Sequence, residues 1–159
     1  MFSGDLEYLS NYYEDPITIP WLLDEETYGG RPVTVPTAEH AYQASKSDDW
    51  ATQQWILRQG RPAEAKTRGL SSATSLRKGW DRGLRVRYMM KILNLKFSPG
   101  SELGARLVGT GYMDLINTND QHEQFWGSCT CKTHLSIPGA NMVGELLMVR
   151  RETLRLLDE

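Results

Sequence analysis

The sequence predicts a helix-rich α+β fold with short strands near the N-terminus. Three observations carry that reading. Two β-branched runs bounded by prolines and glycines lie early in the chain, apolar residues recur at helical spacing later on, and cap and stop residues bracket the periodic stretches. With 159 residues, 40% of them hydrophobic and 24% charged, the chain reads as one globular domain, 1–159, large enough to bury a core.

Taken in order, ITIP (17–20) and RPVTVP (31–36) read as short edge strands or a hairpin, with Gly29-Gly30 as its turn. A helix starts at Thr37, a fitting N-cap. Further helices are expected at Trp50–Arg58, at Pro62–Arg68 with Gly69 as the stop, and at about Asp81–Leu95. In the last of these, Leu84, Tyr88, Ile92 and Leu95 recur at helical spacing, and Val86, Met89, Met90 and Leu93 widen the stripe. Ser101 caps a short helix, SELGARLVG, ending near Gly109 or Gly111. The final helix, from about Met142, places Val143, Leu146, Leu147, Leu154 and Leu157 on the core side.

The net charge of −2 hides an uneven distribution. From Arg58 to Lys96 there are eleven Lys or Arg residues against Glu64 and Asp81, a local net of +9. Such a segment suits a phosphate or a nucleic acid backbone, and it is equally compatible with several solvated helix faces. No apolar stretch is long enough to cross a membrane and the N-terminus has no signal-peptide pattern, so a cytoplasmic location is expected.

In PTAEHAYQASK (36–46) a helical periodicity puts Glu39, Gln43 and Lys46 on one stripe. Glu39 and Lys46 sit nearly two turns apart, roughly 10 Å along the axis, so they could line the two ends of a pocket. A polar stripe of this kind is also what an ordinary solvated helix face looks like, and a first-turn glutamate suits the helix dipole.

Five segments then stand out in order: LSNYY (9–13), AEHAYQASK (38–46), SLRKGW (75–80), HEQFWGSC (122–129) and GANMVGELLMVR (139–150). Their order and wording resemble the NADAR superfamily, also called YbiA-like proteins. The resemblance runs from about Phe2 to about Arg150, and it implies a YbiA-like α+β domain that cleaves N-glycosidic bonds at a ribose. It implies either ADP-ribosylated guanine in nucleic acid or a phosphorylated riboflavin-pathway intermediate as substrate. A non-catalytic module binding ADP-ribose or NAD-derived nucleotides is the competing class. The family's functional residues map onto Glu39, Lys46, Trp80, Glu123 and Trp126, with Glu123 standing where the family usually has Asp. By the same motifs Asn11, Tyr12, Gln43, Arg77, Gly127 and Asn141 are expected to bind substrate.

These residue types fit the chemistry. Breaking an N-ribosidic bond builds positive charge on the sugar, and Glu39 and Glu123 offer two carboxylates to share charge stabilisation and proton transfer. Lys46 offers a second route, a Schiff base to the opened ribose, if its pKa is lowered. Trp80 and Trp126 suit stacking on a flat base, and Arg77 with Lys78 suits phosphates. Each has a structural alternative. The tryptophans serve equally as core aromatics, Lys46 as a partner of Asp48 or Asp49, Asn11 and Gln43 as partners of buried backbone, and Asn141 as a helix cap. His40 points to another side of the helix and is not assigned to catalysis.

Cys129 and Cys131 are the only cysteines, which argues against a disulfide framework. With His122 and His134 they supply zinc-type donors, but Cys-x-Cys is an unusual spacing and four ligands meet only if the loop folds back on itself. The sequence therefore points to reduced, partly buried thiols, with no metal and no cofactor.

Overall fold

A computed structural model describes residues 1–24 and 29–157. The expected helix-rich α+β architecture is found, in two compact units: Asn11–Lys96, and Met1–Ser10 with Phe97–Glu159. No helix among the described residues is long and apolar enough to cross a membrane.

In the unit Asn11–Lys96 the early β-branched runs form an antiparallel pair, β1 (Glu14–Asp24) and β2 (Arg31–Thr37), longer than the short strands expected. Their connection, 25–28, lies outside the described residues. Ile17 faces Val35 and Ile19 faces Val33, while Thr18 and Thr34 share a 2.9 Å hydroxyl hydrogen bond on the exposed face. The pairing shifts register between Glu14 and Ile17 and again between Ile19 and Leu23, the intervals that hold Pro16 and Pro20. Proline has no ladder donor, so it is tolerated at such irregularities.

β2 runs directly into α1 (Ala38–Ala44), capped as expected by the Thr37 hydroxyl, which accepts from the His40 backbone N–H at 3.3 Å. All seven residues of α1 are buried. α2 (Trp50–Leu57), capped by Asp49, and α3 (Pro62–Gly69), opened by a first-turn proline, pack beside it. A single 3-10 turn, Trp80–Arg82, occupies the start expected for the long helix, and α4 spans Leu84–Lys96. Gly83 at φ 105° breaks the two apart. The buried face of α4 is Met89, Ile92, Leu93 and Lys96, so Met90, expected in the apolar stripe, is 41% exposed.

In the other unit a 3-10 turn (Gly4–Leu9) buries Tyr8 and Leu9. α5 (Glu102–Gly109) is capped by Ser101 as expected, and α6 (Met142–Leu157) packs against it. Two two-residue strands, β3 (Thr118–Asn119) and β4 (Ser128–Cys129), pair in parallel. Val143, Leu147 and Leu154 of α6 are buried and Leu146 half-buried. Leu157, also expected in the core, is 61% exposed. Arg150 and Arg151 are buried instead, each hydrogen-bonded to a backbone carbonyl, while Arg151 Nε makes no hydrogen bond among the described residues. Arg150 Nε donates to the Phe97 carbonyl at 2.9 Å, and an Arg151 guanidinium nitrogen donates to the Thr110 hydroxyl and the Met113 carbonyl, both at 2.9 Å. A charge so hydrogen-bonded can be buried, whereas an unpaired one could not.

Gly144 shows how tightly α6 is seated. A Cβ at that position would stand 1.9 Å from the Leu115 carbonyl oxygen and 2.3 Å from the Asn141 side chain. Alanine is the better helix former by roughly 1 kcal/mol, so propensity alone predicts stabilisation by Gly144→Ala. Steric overlap with backbone predicts the reverse, and it dominates: Gly144→Ala should lower unfolding free energy by about 1–3 kcal/mol in urea titration. Gly109→Ala, where nothing lies within 4 Å, is the control and should be neutral or slightly stabilising. Equal stability of the two variants would show that α6 is not seated as described.

Candidate active site

The stripe Glu39, Gln43 and Lys46 is not a solvated face. The three residues are 7%, 3% and 6% exposed. Helix α1 ends before Lys46, with Ser45 as the C-cap, and Lys46 lies in the following turn, its N–H donating to the Gln43 carbonyl at 3.2 Å. The expected alignment on one continuous helix is thus corrected at its last member, and the turn swings Lys46 toward α3. Its Nζ donates to the Gly69 carbonyl at 3.1 Å and sits 5.6 Å from the Tyr42 ring centroid. Asp49, a possible partner of Lys46 from the sequence, accepts instead from the Thr52 amide and hydroxyl, at 2.7 and 2.6 Å.

Glu39 Oε1 accepts from Gln43 Nε2 at 2.7 Å, an i,i+4 bond inside the buried helix. Burial pushes the Glu39 carboxyl above the usual range, opposed by the Gln43 hydrogen bond, the charges of Lys66 and Lys46, and a hydrogen bond from Asn11. Burial likewise brings Lys46 down to about 8, with Lys66 pushing the same way and Glu39 and Asp81 pushing back. Tyr12, half-buried, is pushed up to about 12 by burial and by the charge of Glu39. The two key groups therefore share one environment, in which each is more easily neutral than in water.

Two acceptors in this cluster lack partners: Asn11 Oδ1 and Gln43 Oε1. An unpaired buried acceptor costs roughly 1–3 kcal/mol, so such atoms point to a ligand or proton donor. The amide of Gln43 also packs so closely that a Cβ at Gly69 would lie 2.0 Å from Gln43 Oε1. Only glycine fits there.

The surrounding residues fix this geometry. The Asn11 backbone carbonyl accepts from the Glu39 N–H at 2.9 Å, tying the LSNYY segment to the start of α1. His40 is fully buried, with Nδ1 2.8 Å from the Thr37 hydroxyl and Nε2 3.0 Å from the Gln59 carbonyl, and burial lowers its pKa. It is a structural strut, as expected of a residue outside the catalytic stripe. Arg77 closes the other end of α1: Nε donates to the Ser45 carbonyl at 2.8 Å and the backbone N–H to the Lys46 carbonyl at 2.7 Å. Its first task is to satisfy a helix terminus.

Trp80 is buried, stacked on Tyr88 (5.7 Å between centroids, 30°) and tilted against Tyr42 at 5.5 Å. The core-aromatic alternative describes its packing, and little of its ring is left to meet a base. Tyr88 continues the row to Trp21 at 5.8 Å, and Arg77 and Lys91 each lie 5.4 Å from the Tyr88 ring. Cations here are interleaved with aromatic rings. Of the eleven basic residues from 58 to 96, Lys96 is buried, Lys66, Arg77 and Arg85 are half-buried, and the other seven are exposed. Lys66 and Gly69, which shape the cluster through charge and a carbonyl, carried no signal in the sequence.

The second group of predicted residues forms a site of its own in the other unit. Glu123 Oε1 accepts from the Phe125 and Trp126 amides, both at 2.9 Å, and Oε2 accepts from Gly127 N–H at 2.8 Å. The carboxylate expected to share the chemistry is engaged by three amides of its own loop. Trp126 is half-buried and meets Phe125 edge-on at 4.8 Å. Gly127 is buried where a Cβ would meet the Asn117 carbonyl at 2.2 Å. Asn141, at φ 49°, accepts from Asn117 N–H and donates to the Leu115 carbonyl, both at 2.8 Å. Its whole amide braces backbone, and the same residue's N–H donates to the Gly127 carbonyl at 3.2 Å.

Besides Glu123, Trp126 and Gly127, the sequence expected the His122 to His134 segment to hold Cys129 and Cys131 as reduced, partly buried thiols rather than as metal ligands. It does fold back: β3 pairs with β4, and Asn119 Oδ1 accepts from the Gln121 and Glu123 amides at 3.0 and 3.1 Å. The donor atoms of His122, Cys129, Cys131 and His134 all fall within 4.8 Å of one another.

Known proteins are similar to this chain. The NADAR domain family model matches residues 2–155. N-glycosidase YbiA of Escherichia coli is 33% identical over 77% of this chain and 72% of its own. The Shigella flexneri protein of that name is 30% identical over 84% and 82%. A riboflavin biosynthesis protein of Vibrio vulnificus is 30% identical over 93% of this chain but only 35% of its own length. The solution NMR structure of E. coli YbiA superposes with a TM-score of 0.75 at 30% identity, covering 99% of this chain and 83% of that one. The buried Glu39–Gln43–Lys46 cluster and the Glu123–Gly127 loop thus sit in a fold with named relatives, and the chain belongs to the NADAR domain family.

Proposed function

We propose that this chain is an N-glycosidase that cleaves a base–ribose bond, with Lys46 as nucleophile and Glu39 as proton donor. The observation that carries the reading is the buried Glu39–Gln43–Lys46 cluster, in which Lys46 is bonded to a backbone carbonyl and brought to about 8. A lysine so placed is partly unprotonated at neutral pH, as an attacking amine must be. The raised carboxyl of Glu39 keeps a proton available where a departing base needs one.

The lone pair of neutral Lys46 Nζ adds to ribose C1. The C1–N bond to the base breaks, and the base leaves with that electron pair and the proton from Glu39. One Nζ proton returns to the Glu39 carboxylate and the other passes to the ring oxygen as the sugar ring opens, leaving an imine, which water hydrolyses to free ribose aldehyde and regenerated lysine. Gln43 and Asn11 hold Glu39 in place. Glu123 is engaged by three amides of its own loop, which also carries Trp126, a half-buried ring of the kind that stacks on a base.

For the substrate we favour ADP-ribosylated guanine in nucleic acid. The exposed cations of the 58–96 segment and the alternation of Arg77 and Lys91 with aromatic rings support it. The similarity to the riboflavin biosynthesis protein of Vibrio vulnificus supports a second reading, a phosphorylated riboflavin-pathway N-riboside. A binding module without turnover is the third. Release of the free sugar, ADP-ribose from ADP-ribosyl-guanine or ADP-ribosyl-thymine DNA and a ribose phosphate from a ribosylated pyrimidine intermediate, separates the three.

Glu39→Gln keeps the size of the side chain and removes its proton. Turnover should fall by at least about a hundredfold, the scale of one positioned acid-base group. Near wild-type turnover would remove Glu39 from the mechanism.

The lysine route has its own signature. Borohydride added during turnover should reduce the imine and trap an adduct on Lys46, seen by intact mass. Lys46→Arg should bind substrate without turning it over. Because protonated lysine cannot attack, kcat/KM should rise with pH through about 8, the value to which burial brings Lys46. An active Lys46→Arg enzyme without any adduct would reduce Lys46 to a binding residue.

Substrate class is read from salt. If exposed cations hold a single strand, affinity should fall with a log–log slope of about −0.7 per phosphate contact. A slope near zero would favour the small-metabolite substrate.

A further inference from the structure

We propose that His122, Cys129, Cys131 and His134 bind one zinc ion in a closed tetrahedral site that staples the loop carrying Trp126 and Gly127. Cys131 Sγ lies 3.4 Å from His122 Nδ1 and 3.2 Å from His134 Nδ1, and the two Nδ1 atoms lie 3.2 Å apart. Around a zinc ion with Zn–S of about 2.3 Å and Zn–N of about 2.0–2.1 Å, a tetrahedron has S–N edges of about 3.6 Å and N–N edges of about 3.3 Å. The three measured separations come within a few tenths of an ångström of those edges. Cys129 Sγ supplies the fourth corner, with all four donor atoms inside 4.8 Å.

Hydrogen bonding alone is a poor account of this cluster. Three donor-acceptor atoms at the corners of a near-equilateral triangle are about 60° apart as seen from one another. Each imidazole Nδ1 presents either one proton or one lone pair and can aim it along one edge only, yet each lies on two edges, so the three contacts cannot all be near-linear hydrogen bonds. A cation at the centre meets every lone pair at once. Two thiolates neutralise a divalent charge, and the mixed sulfur–imidazole set is the donor chemistry of zinc.

The loop is also built to hold those donors. His122 takes φ 61°, a conformation that non-glycine residues seldom adopt and that marks a side chain held in a required direction. Gln124 spans the loop, accepting from Cys129 N–H at 2.7 Å and donating to the Ile137 carbonyl at 2.8 Å. The Cys131 amide donates to Cys129 Sγ at 3.5 Å, the outer-sphere contact that favours a thiolate.

This segment has little apolar packing to order it. Its strands have two residues each, and Leu135 and Ile137 are 74% and 54% exposed. Metal binding supplies folding free energy where an apolar core is thin. With four protein ligands no position is open for water or substrate, so the ion is structural. The expectation of two ordinary thiols undervalued the segment because its fold-back depends on Asn119 and Glu123, which cysteine spacing does not reveal.

The test uses the untagged full chain. Metal analysis should find about one zinc per chain. Cobalt added to chelator-treated protein should give the visible bands of tetrahedral Co²⁺ and a near-ultraviolet thiolate charge-transfer band. The double variant Cys129→Ser/Cys131→Ser should lose both. Because that variant may fail to fold, His122→Ala, which removes an exposed ligand, is the second arm: its zinc affinity should drop by at least about a hundredfold. The proposal is overturned by wild-type protein that takes up neither zinc nor cobalt, by a Cys129–Cys131 disulfide in protein isolated under reducing conditions, or by His122→Ala that binds zinc like the wild type.

Discussion

The constraint on which the Asn11–Lys96 unit depends is the burial of a carboxyl group inside a short helix. Helix α1 has no solvated face, so every polar group on it must be answered by the protein. The neighbours do answer. Thr37 and the Asn11 carbonyl take the first amides, Gln59 holds His40, and Trp21 Nε1 donates to the Ser45 hydroxyl at 2.9 Å. Arg77 closes the far end. Segments distant in sequence are thereby fixed around Glu39, and the accounting is complete except beside the carboxyl itself. There Asn11 Oδ1 and Gln43 Oε1 lack donors. Native proteins leave few such atoms, and they concentrate at sites of chemistry.

Burial also sets the charge states. Burial raises the Glu39 carboxyl and brings the Lys46 amine down to about 8, so each carries its charge less readily than in water. Direct ion pairing would oppose this, because a carboxylate bonded to Lys46 would restore its high pKa. The structure gives Lys46 the Gly69 carbonyl instead, and Gly69 lets α3 approach closely enough for Gln43 to pack on it. Lys66 adds a second cation that lowers Lys46 further. Like-charge proximity is costly in a surface pair, and here it adds to burial in lowering Lys46.

The loop from Asn117 to Asn141 follows a different logic. Its shape is held by side chains bonded to backbone: Glu123 on three amides, Asn141 on Leu115 and Asn117, and Gln124 across to Ile137. Glycines at 127, 139 and 144 admit carbonyls where any Cβ would collide. Glu123 reaches its three amides with both oxygens, which makes it the clamp of this loop. Fixing a loop this way costs side-chain freedom, but it sets Trp126 with little help from apolar packing.

Much of this was written locally. Thr37, Asp49 and Ser101 cap their helices as their side-chain chemistry requires, Pro62 opens α3, and the β-branched runs pair as a hairpin. The ordered motifs identified the family and picked out Glu39 and Lys46. These signals act within a turn or two of chain, where propensity, capping and periodicity operate. Other features came only from tertiary contact. Leu157 and Met90 have the right spacing for a core but nothing packs over them, while Arg150, Lys96 and the Glu39 stripe are buried because distant segments cover or satisfy them. Lys66, Gly69 and the convergence of His122 with Cys131 are invisible in the one-dimensional pattern. The sequence by itself determined the elements and the residue types available for chemistry. Tertiary structure alone decided which of them are desolvated and which donors converge, because burial and charge coupling depend on neighbours in space.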